Sequence, residues 1–274
     1  MSAAERGPLA ELRNRRGERL EFAFHDAAAG GGAPSAARAV VILAHGVTSN
    51  MDRPYLVELG DALARAGIPA LRFSFSGNGK SEGRFEEATP TKEVDDAAGV
   101  LDALHAAGFT NVAYAGHSMG GAVGVLLAAR DERVRALVSL AGMFHVARFF
   151  ERHFGRLRPG DPMLGKASCP WSRALADDAA RHGSLDAAAA RVRVPWLLVH
   201  GDVDEMVPLE DAKDAKAACE SGEARPLNGN RRDRVELVEL AGVDHRFGGA
   251  IPRLVAAVVP WLVPWLVKEG TRDG

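Results

Sequence analysis

The sequence predicts an α/β fold, a mostly parallel central sheet covered by helices on both faces. Short, uninterrupted apolar runs recur along the chain, as expected of strands buried on both sides. Segments of helical periodicity separate them. A serine flanked by glycines sits where one apolar run gives way to a helix-like segment. Alternation of this kind favours parallel strands joined by helical crossovers, with ligands bound at the carboxyl ends of the strands.

The elements follow in order. Residues 20–25 alternate apolar and polar, which reads as a half-exposed edge strand. Residues 26–38 are rich in Gly, Ala, Pro and Ser and read as a mobile loop. Residues 39–44 (AVVILA) form a buried strand. Residues 54–66 have helical spacing and stop before Gly67. Residues 70–75 are the next strand. Residues 91–107 form a helix with Val94, Ala97, Ala98, Leu101 and Leu104 on one face. Residues 111–115 and 135–141 are buried strands on either side of the helix at 121–129. Strands at 196–200 and 235–240 complete the sheet. The interval 142–194 is too long for a simple crossover. Its aromatic residues (Phe144, Phe149, Phe150, Phe154, Trp171) predict a small helical cap inserted into a single domain spanning 1–274. The plainer alternative is a surface excursion whose aromatics pack on the core.

Composition narrows the function classes. The chain is 47% hydrophobic, enough for a sizeable core in one domain. Its formal net charge of −2 suggests neither a nucleic-acid nor an anionic-membrane partner. The two cysteines, Cys169 and Cys219, lack metal-type or redox-type spacing and read as free thiols in a reducing compartment, with a disulfide as the alternative. No apolar core follows Met1–Arg6, so no secretion signal is read there, and a cytoplasmic location is expected. The longest apolar stretch, 254–267, contains Pro260 and Pro264 and falls short of the ~20 residues of a membrane span. It reads as a buried helix whose Trp261 and Trp265 leave room for a homodimer or membrane-surface contact. No H-E-x-x-H or clustered His/Cys set suggests a metal, and no cofactor is expected.

The chemistry concentrates in three segments. Gly116-His117-Ser118-Met119-Gly120 reads as a nucleophile elbow, a sharp strand-to-helix turn that presents Ser118 at a helix N-terminus. A serine hydroxyl needs an adjacent base, and the base an orienting acid. Downstream strands are followed by His200-Gly201-Asp202-Val203-Asp204-Glu205-Met206-Val207-Pro208 and by Ala241-Gly242-Val243-Asp244-His245-Arg246-Phe247. Both segments leave the carboxyl ends of strands, on the same side as the elbow. Asp202 and Asp204 are alternative acids. Asp244 adjoins the histidine and reads as loop-shaping. His200 reads as a satisfied core residue, and His25, His105, His153 and His182 as surface or helix-face residues.

With these segments in that order, the chain resembles the α/β-hydrolase superfamily of serine hydrolases from about Ala39 onward. His45-Gly46-Val47 resembles the family's oxyanion loop, and Phe75-Ser76-Gly77-Asn78-Gly79-Lys80-Ser81 its glycine-rich turn. The resemblance implies Ser118 as nucleophile, His245 as base and Asp204, at the fifth position of H-G-x-x-D, as acid. It implies the backbone N–H groups of Val47 and Met119 as the oxyanion hole. His45 would prop that loop, and His117 would pack beneath the nucleophile and point away from it.

Within the superfamily the chain resembles compact bacterial carboxylesterases of the cinnamoyl or feruloyl esterase type, through residues 71–86, Val94-Asp95-Asp96 and the short insert before Val194-Pro195. That implies a small-molecule ester of a short acyl or aromatic acid as substrate. No cap residue matches a known substrate contact, so Phe144, His145 and Phe149 stand as candidates by position alone. A serine aminopeptidase is an alternative, with Glu86-Glu87 or Glu205 available to grip an amine. A thioesterase is another, with Arg148, Arg152, Arg156 and Arg158 as a basic patch. The non-enzymatic alternative is a ligand receptor on the same fold. A haloalkane dehalogenase would need a carboxylate in place of Ser118. Gly77-Asn78-Gly79-Lys80-Ser81 lacks the glycine spacing of a phosphate-binding loop.

Overall fold

The computed structural model describes residues 7–27, 39–222 and 235–266. Most of the loop read at 26–38 therefore lies outside the described residues, as does Met1–Arg6. Seven strands form the main sheet in the order β1-β3-β2-β4-β5-β8-β9. They are β1 (Phe22–His25), β2 (Ala39–Ala44), β3 (Ala70–Phe73), β4 (Asn111–His117), β5 (Val134–Leu140), β8 (Trp196–Gly201) and β9 (Val235–Leu240). Only β1 runs antiparallel, against β3, and the other pairings are parallel. The expected mainly parallel sheet is present, and β9 matches its expected bounds.

Strand alternation divides the interior in two. Val40, Ile42 and Ala44 of β2 enter one core; Val41 and Leu43 enter the other. Trp196 and Leu198 of β8 oppose Leu197 and Val199 in the same way. Helices α1 (Pro54–Arg65) and α8 (Ile251–Leu266) cover the second face. Helices α2 (Pro90–Ala106), α3 (Met119–Ala128) and α7 (Leu209–Ser221) cover the first. Burial on both faces explains why these strands are uninterrupted apolar runs.

Helix starts follow local chemistry. Pro54 and Pro90 open α1 and α2, where a missing N–H costs nothing. Thr89 caps α2 by accepting from the Lys92 N–H. The apolar stretch near the C-terminus forms α8 despite Pro260 and Pro264 within it. Leu254, Val258, Leu262 and Leu266 make its buried stripe, and Asn111 Nδ2 donates to the Trp265 and Leu266 carbonyls at its end. Among the described residues no helix is long and apolar enough to cross a membrane.

The insert at 142–194 holds a hairpin in addition to the helices expected from sequence. Beside α4 (Val146–Phe154), α5 (Arg173–His182) and α6 (Asp186–Ala189) it contains a hairpin of β6 (Pro162–Met163) and β7 (Lys166–Pro170). Leu164 and Gly165 turn it with φ of 49° and 72°. Two positive φ values are what a tight two-residue hairpin turn requires. Leucine seldom adopts that conformation, so the turn carries only half a sequence signature. Phe150, Phe154 and Trp171 pack with ring centroids 5.6–5.8 Å apart, and their side chains are core. Cys169 and Cys219 are both buried, and neither is in a disulfide.

One buried carboxyl stands apart from this packing. Glu93 of α2 is 1% exposed, and its Oε2 has no hydrogen-bond partner among the described residues. Burial, reinforced by the Asp96 charge, raises its pKa well above the ordinary value of 4.5. A raised folded-state pKa gives stability that is full below the unfolded value and lost as pH rises towards the folded one. Glu93→Gln is therefore expected to be near neutral in effect below about pH 4.5. Above that it should stabilise, with a gain growing by up to about 1.4 kcal/mol per pH unit. Urea unfolding of both proteins from pH 4 to 8 checks this, and parallel stability curves would contradict it.

Candidate active site

Strand β4 runs directly into α3, and Ser118 sits at the junction with φ 53° and ψ −116°. Its strained backbone is pinned on all sides. Ser118 N donates to Leu140 O at 2.9 Å, while Ser118 O accepts from Gly121 N at 2.9 Å and Met143 N at 3.1 Å. The flanking glycines are required by close approach. A Cβ on Gly116 would strike the Gly120 carbonyl, and one on Gly120 would lie 2.5 Å from His45 O. The elbow read from sequence is thus a point where three backbone segments touch.

His45 fastens the loop after β2. Its Nδ1–H donates to Gly46 O at 2.8 Å, and its Nε2 accepts from Phe75 N at 3.0 Å. Burial pushes its pKa down to about 4, so it stays neutral and can accept that bond. The neighbouring glycine-rich turn is tied down by Asp96, which accepts from Ser76 N at 2.8 Å and Ser76 Oγ at 2.7 Å. Among the described residues neither the Val47 N–H nor the Met119 N–H donates a hydrogen bond. Val47 lines the cleft, and Met119 opens α3 beneath it.

Asp204 and His245 meet across the loops after β8 and β9. His245 Nδ1 lies 2.7 Å from Asp204 Oδ2. Asp204 Oδ1 accepts from the N–H groups of Met206 and Val207, both at 2.8 Å, and His200 Nε2 lies 3.3 Å from Oδ2. Burial by itself would raise this carboxyl's pKa. The bonds from His200, His245 and the Val207 N–H, with the His245 charge, outweigh burial and hold it well below the usual carboxylate range. Asp202 instead accepts from Gly242 N at 2.6 Å, and Asp244 from Arg246 N and Gly248 N, so both shape turns.

His117 lies under His245 with ring centroids 4.7 Å apart. Its Nε2–H donates to His245 O at 2.8 Å and its Nδ1 accepts from Tyr55 OH at 2.9 Å. Burial, together with the His245 charge, drives its pKa well below the ordinary value. His117 is a fixed neutral prop for the loop that carries His245. His200 is less well satisfied than a core histidine should be: Nε2 reaches Val207 O at 2.9 Å, but its buried Nδ1 has no partner among the described residues. His25 is more enclosed than the surface position expected, held between Asp61 and Arg72.

A cleft of about 360 Å³ brings Val47, Ser118 and His245 together. Ser118 is 2% exposed and lines the cleft. Among the described residues no hydrogen bond joins Ser118 Oγ to His245. With Nδ1 held by Asp204, His245 has Nε2 left for the serine, and such bonds commonly tighten only when substrate is bound. Of five non-glycine residues with positive φ among the described residues, four (Thr48, Ser118, Leu164 and Phe247) line the cleft. Strain concentrated in this way marks a functional site.

Of the three cap candidates only Phe149 lines the cleft. Phe144 is buried edge-on against Trp196, with centroids 5.6 Å apart. His145 is drawn outward by Asp214, with Nε2 and Oδ2 2.8 Å apart. Both are claimed by other partners, so neither meets the cleft. Sequence reasoning missed Arg53, Tyr55, Leu164, Lys166 and Arg246, all of which line it. Glu86, Glu87 and Glu205 lie outside the lining, and Arg148 is paired with Asp211.

This sheet order, with a serine elbow after β4 and helices on both faces, defines the architecture. The chain has the α/β-hydrolase fold. Residues 35–168, just under half of the chain, match the family described as serine aminopeptidase, S33. Comparison with curated proteins gives no match. Among solved structures it is similar to Est1E from Butyrivibrio proteoclasticus with ferulic acid bound, at TM-score 0.77 and 21% identity, covering 94% of this chain and 99% of that one. The Pyrococcus furiosus esterase Pf2001 aligns at TM-score 0.70 and 17% identity, covering 93% and 91%. An α/β serine hydrolase without lid from Xanthomonas campestris aligns at TM-score 0.62 and 21% identity, covering 94% of each chain.

The close packing around the elbow can be tested directly. Gly120→Ala is expected to cost about 1–3 kcal/mol, because the added methyl meets a backbone carbonyl that has no room to move. Urea unfolding at pH 7 measures the loss, and an unchanged midpoint would rule out the crowding described.

Proposed function

We propose that this α/β-hydrolase cleaves carboxylic esters of short acyl or aromatic acids through Ser118, His245 and Asp204. The observation that carries the reading is the 2.7 Å bond between His245 Nδ1 and the buried Asp204 carboxylate, beside a cleft lined by Ser118. In the first step Ser118 Oγ attacks the ester carbonyl and its proton passes to His245 Nε2. Asp204 stabilises the imidazolium and keeps Nδ1 protonated. Charge develops on the carbonyl oxygen, for which the Val47 and Met119 N–H groups are the available donors. Collapse of the tetrahedral intermediate expels the alcohol, which takes the proton from His245. Water, activated by the same base, then releases the acid and restores Ser118.

Substrate size agrees with this reading. The cleft volume suits a small ester, and Est1E, which shares the fold, binds ferulic acid. The family description brings in a second reading, hydrolysis at a peptide N-terminus. Such a substrate presents an ammonium, and none of the cleft-lining residues is acidic. The electrostatics therefore favour an ester over an amine-terminated peptide. A receptor on the same fold would differ in turnover: repeated product release would mark the enzyme.

Ser118→Ala is expected to abolish hydrolysis of 4-nitrophenyl acetate and butyrate, a loss of up to about 10⁶ in kcat. It should also abolish labelling by a fluorophosphonate. Near-normal activity in that variant would overturn the assignment. Asp204→Asn is expected to cost about 10⁴ in kcat, because the amide favours the wrong tautomer of His245. Asp202→Asn should cost less than tenfold, its role being one turn hydrogen bond. Steady-state kinetics of the two variants decides which carboxylate is the acid.

A further inference from the structure

The cleft carries more positive charge than ester hydrolysis requires. Arg53, Lys166 and Arg246 all line it, and no Asp or Glu does. They come from three separate segments: the start of α1, the hairpin strand β7 and the loop carrying His245. None forms an ion pair with a described carboxylate, in a chain whose net charge is −2. Lys166 Nζ donates to Thr48 O at 2.5 Å and Arg53 Nε to Ser49 Oγ at 2.6 Å. Those bonds fix the two heads and leave donors unspent: an ammonium has three N–H groups and a guanidinium five. The side chain of Arg246 makes no hydrogen bond with a described residue.

The three charges act on one another. Lys166 is held below its ordinary pKa by burial and by repulsion from Arg53 and Arg246. Like charges gathered around one cavity are unfavourable until an anion enters it. Arginine forks match carboxylate and phosphate oxygens with paired N–H groups.

We propose that Arg53, Lys166 and Arg246 form an anion-recognition site in the cleft, so that the preferred substrate is an ester that also carries a carboxylate or phosphate group. This rests on the ester-hydrolase reading above and specifies its substrate class. The anion is distinct from the oxyanion of the reaction, which forms at the Val47 and Met119 N–H groups. The two cationic roles separate experimentally: a site for substrate charge discriminates between esters, whereas a general field would assist all of them alike.

The test compares kcat/KM for matched esters. On the alcohol side these are methyl 4-acetoxybenzoate (neutral), 4-acetoxybenzoate (carboxylate) and 4-acetoxyphenyl phosphate. On the acyl side they are 4-nitrophenyl hexanoate and 4-nitrophenyl hydrogen adipate. At least one anionic ester is expected to be preferred about tenfold or more over its neutral match, with the preference shrinking as salt rises. Whether the carboxylate or the phosphate ester leads identifies the group. Arg246→Gln, which disturbs no side-chain hydrogen bond of the fold, should reduce the preference several-fold, and Lys166→Gln likewise. Hydrolysis of the neutral esters with no anionic preference in either series would overturn the proposal and leave the hydrolase standing. Equal losses on neutral and anionic esters in Arg246→Gln would also overturn it. Failure to hydrolyse any ester, with no fluorophosphonate labelling of Ser118, would remove the hydrolase reading itself.

Discussion

Asp204 is the carboxylate on which the site's geometry turns. Buried charge is expensive unless each oxygen is met by donors. Here two backbone N–H groups take one oxygen, and two histidines approach the other. A carboxylate held in this way cannot rotate, so the ring of His245 is fixed with Nδ1 inward. The loop bearing His245 is fixed independently through His117 and Tyr55. Side-chain orientation and backbone position are thus set by separate contacts. Both trace to the parallel sheet, which delivers the ends of β4, β8 and β9 to one edge.

Much of this was legible in the sequence because its determinants are local. The glycines at 116 and 120 mark a turn with no room for side chains, and AVVILA can only be a strand buried on both faces. The order Ser118, Asp204, His245 follows from which strands end beside the elbow. Residue type alone left Asp202 and Asp204 as alternative acids and the H-G-x-x-D pattern favoured Asp204; both carboxylates accept from backbone amides, but only Asp204 also meets His245. The insert was less readable. Its aromatics mark a packed segment without saying which ring faces outward. Phe144 lost its place at the cleft to the space beside Trp196, and His145 to the pull of Asp214.

The basic lining was invisible for a different reason. Arg53, Lys166 and Arg246 are more than seventy residues apart along the chain, and single basic residues are ordinary on any surface. Only the fold makes them neighbours. The positive φ values show the same limit: Thr48, Leu164 and Phe247 are unremarkable residue types, and their strain is imposed by surrounding contacts.

The contact between Lys166 and Thr48 ties the hairpin to the loop after β2. Thr48 directly follows Val47, whose amide is one of the two donors in the proposed mechanism. The hairpin is thereby more than a wall of the cavity. Shortening it, or exchanging it for a different segment, would slacken the loop at the residue beside that amide. On the proposed mechanism reach and rate are mechanically joined, so redesigning the outer rim for bulkier molecules would also disturb the innermost chemistry unless a new tether replaced the lysine.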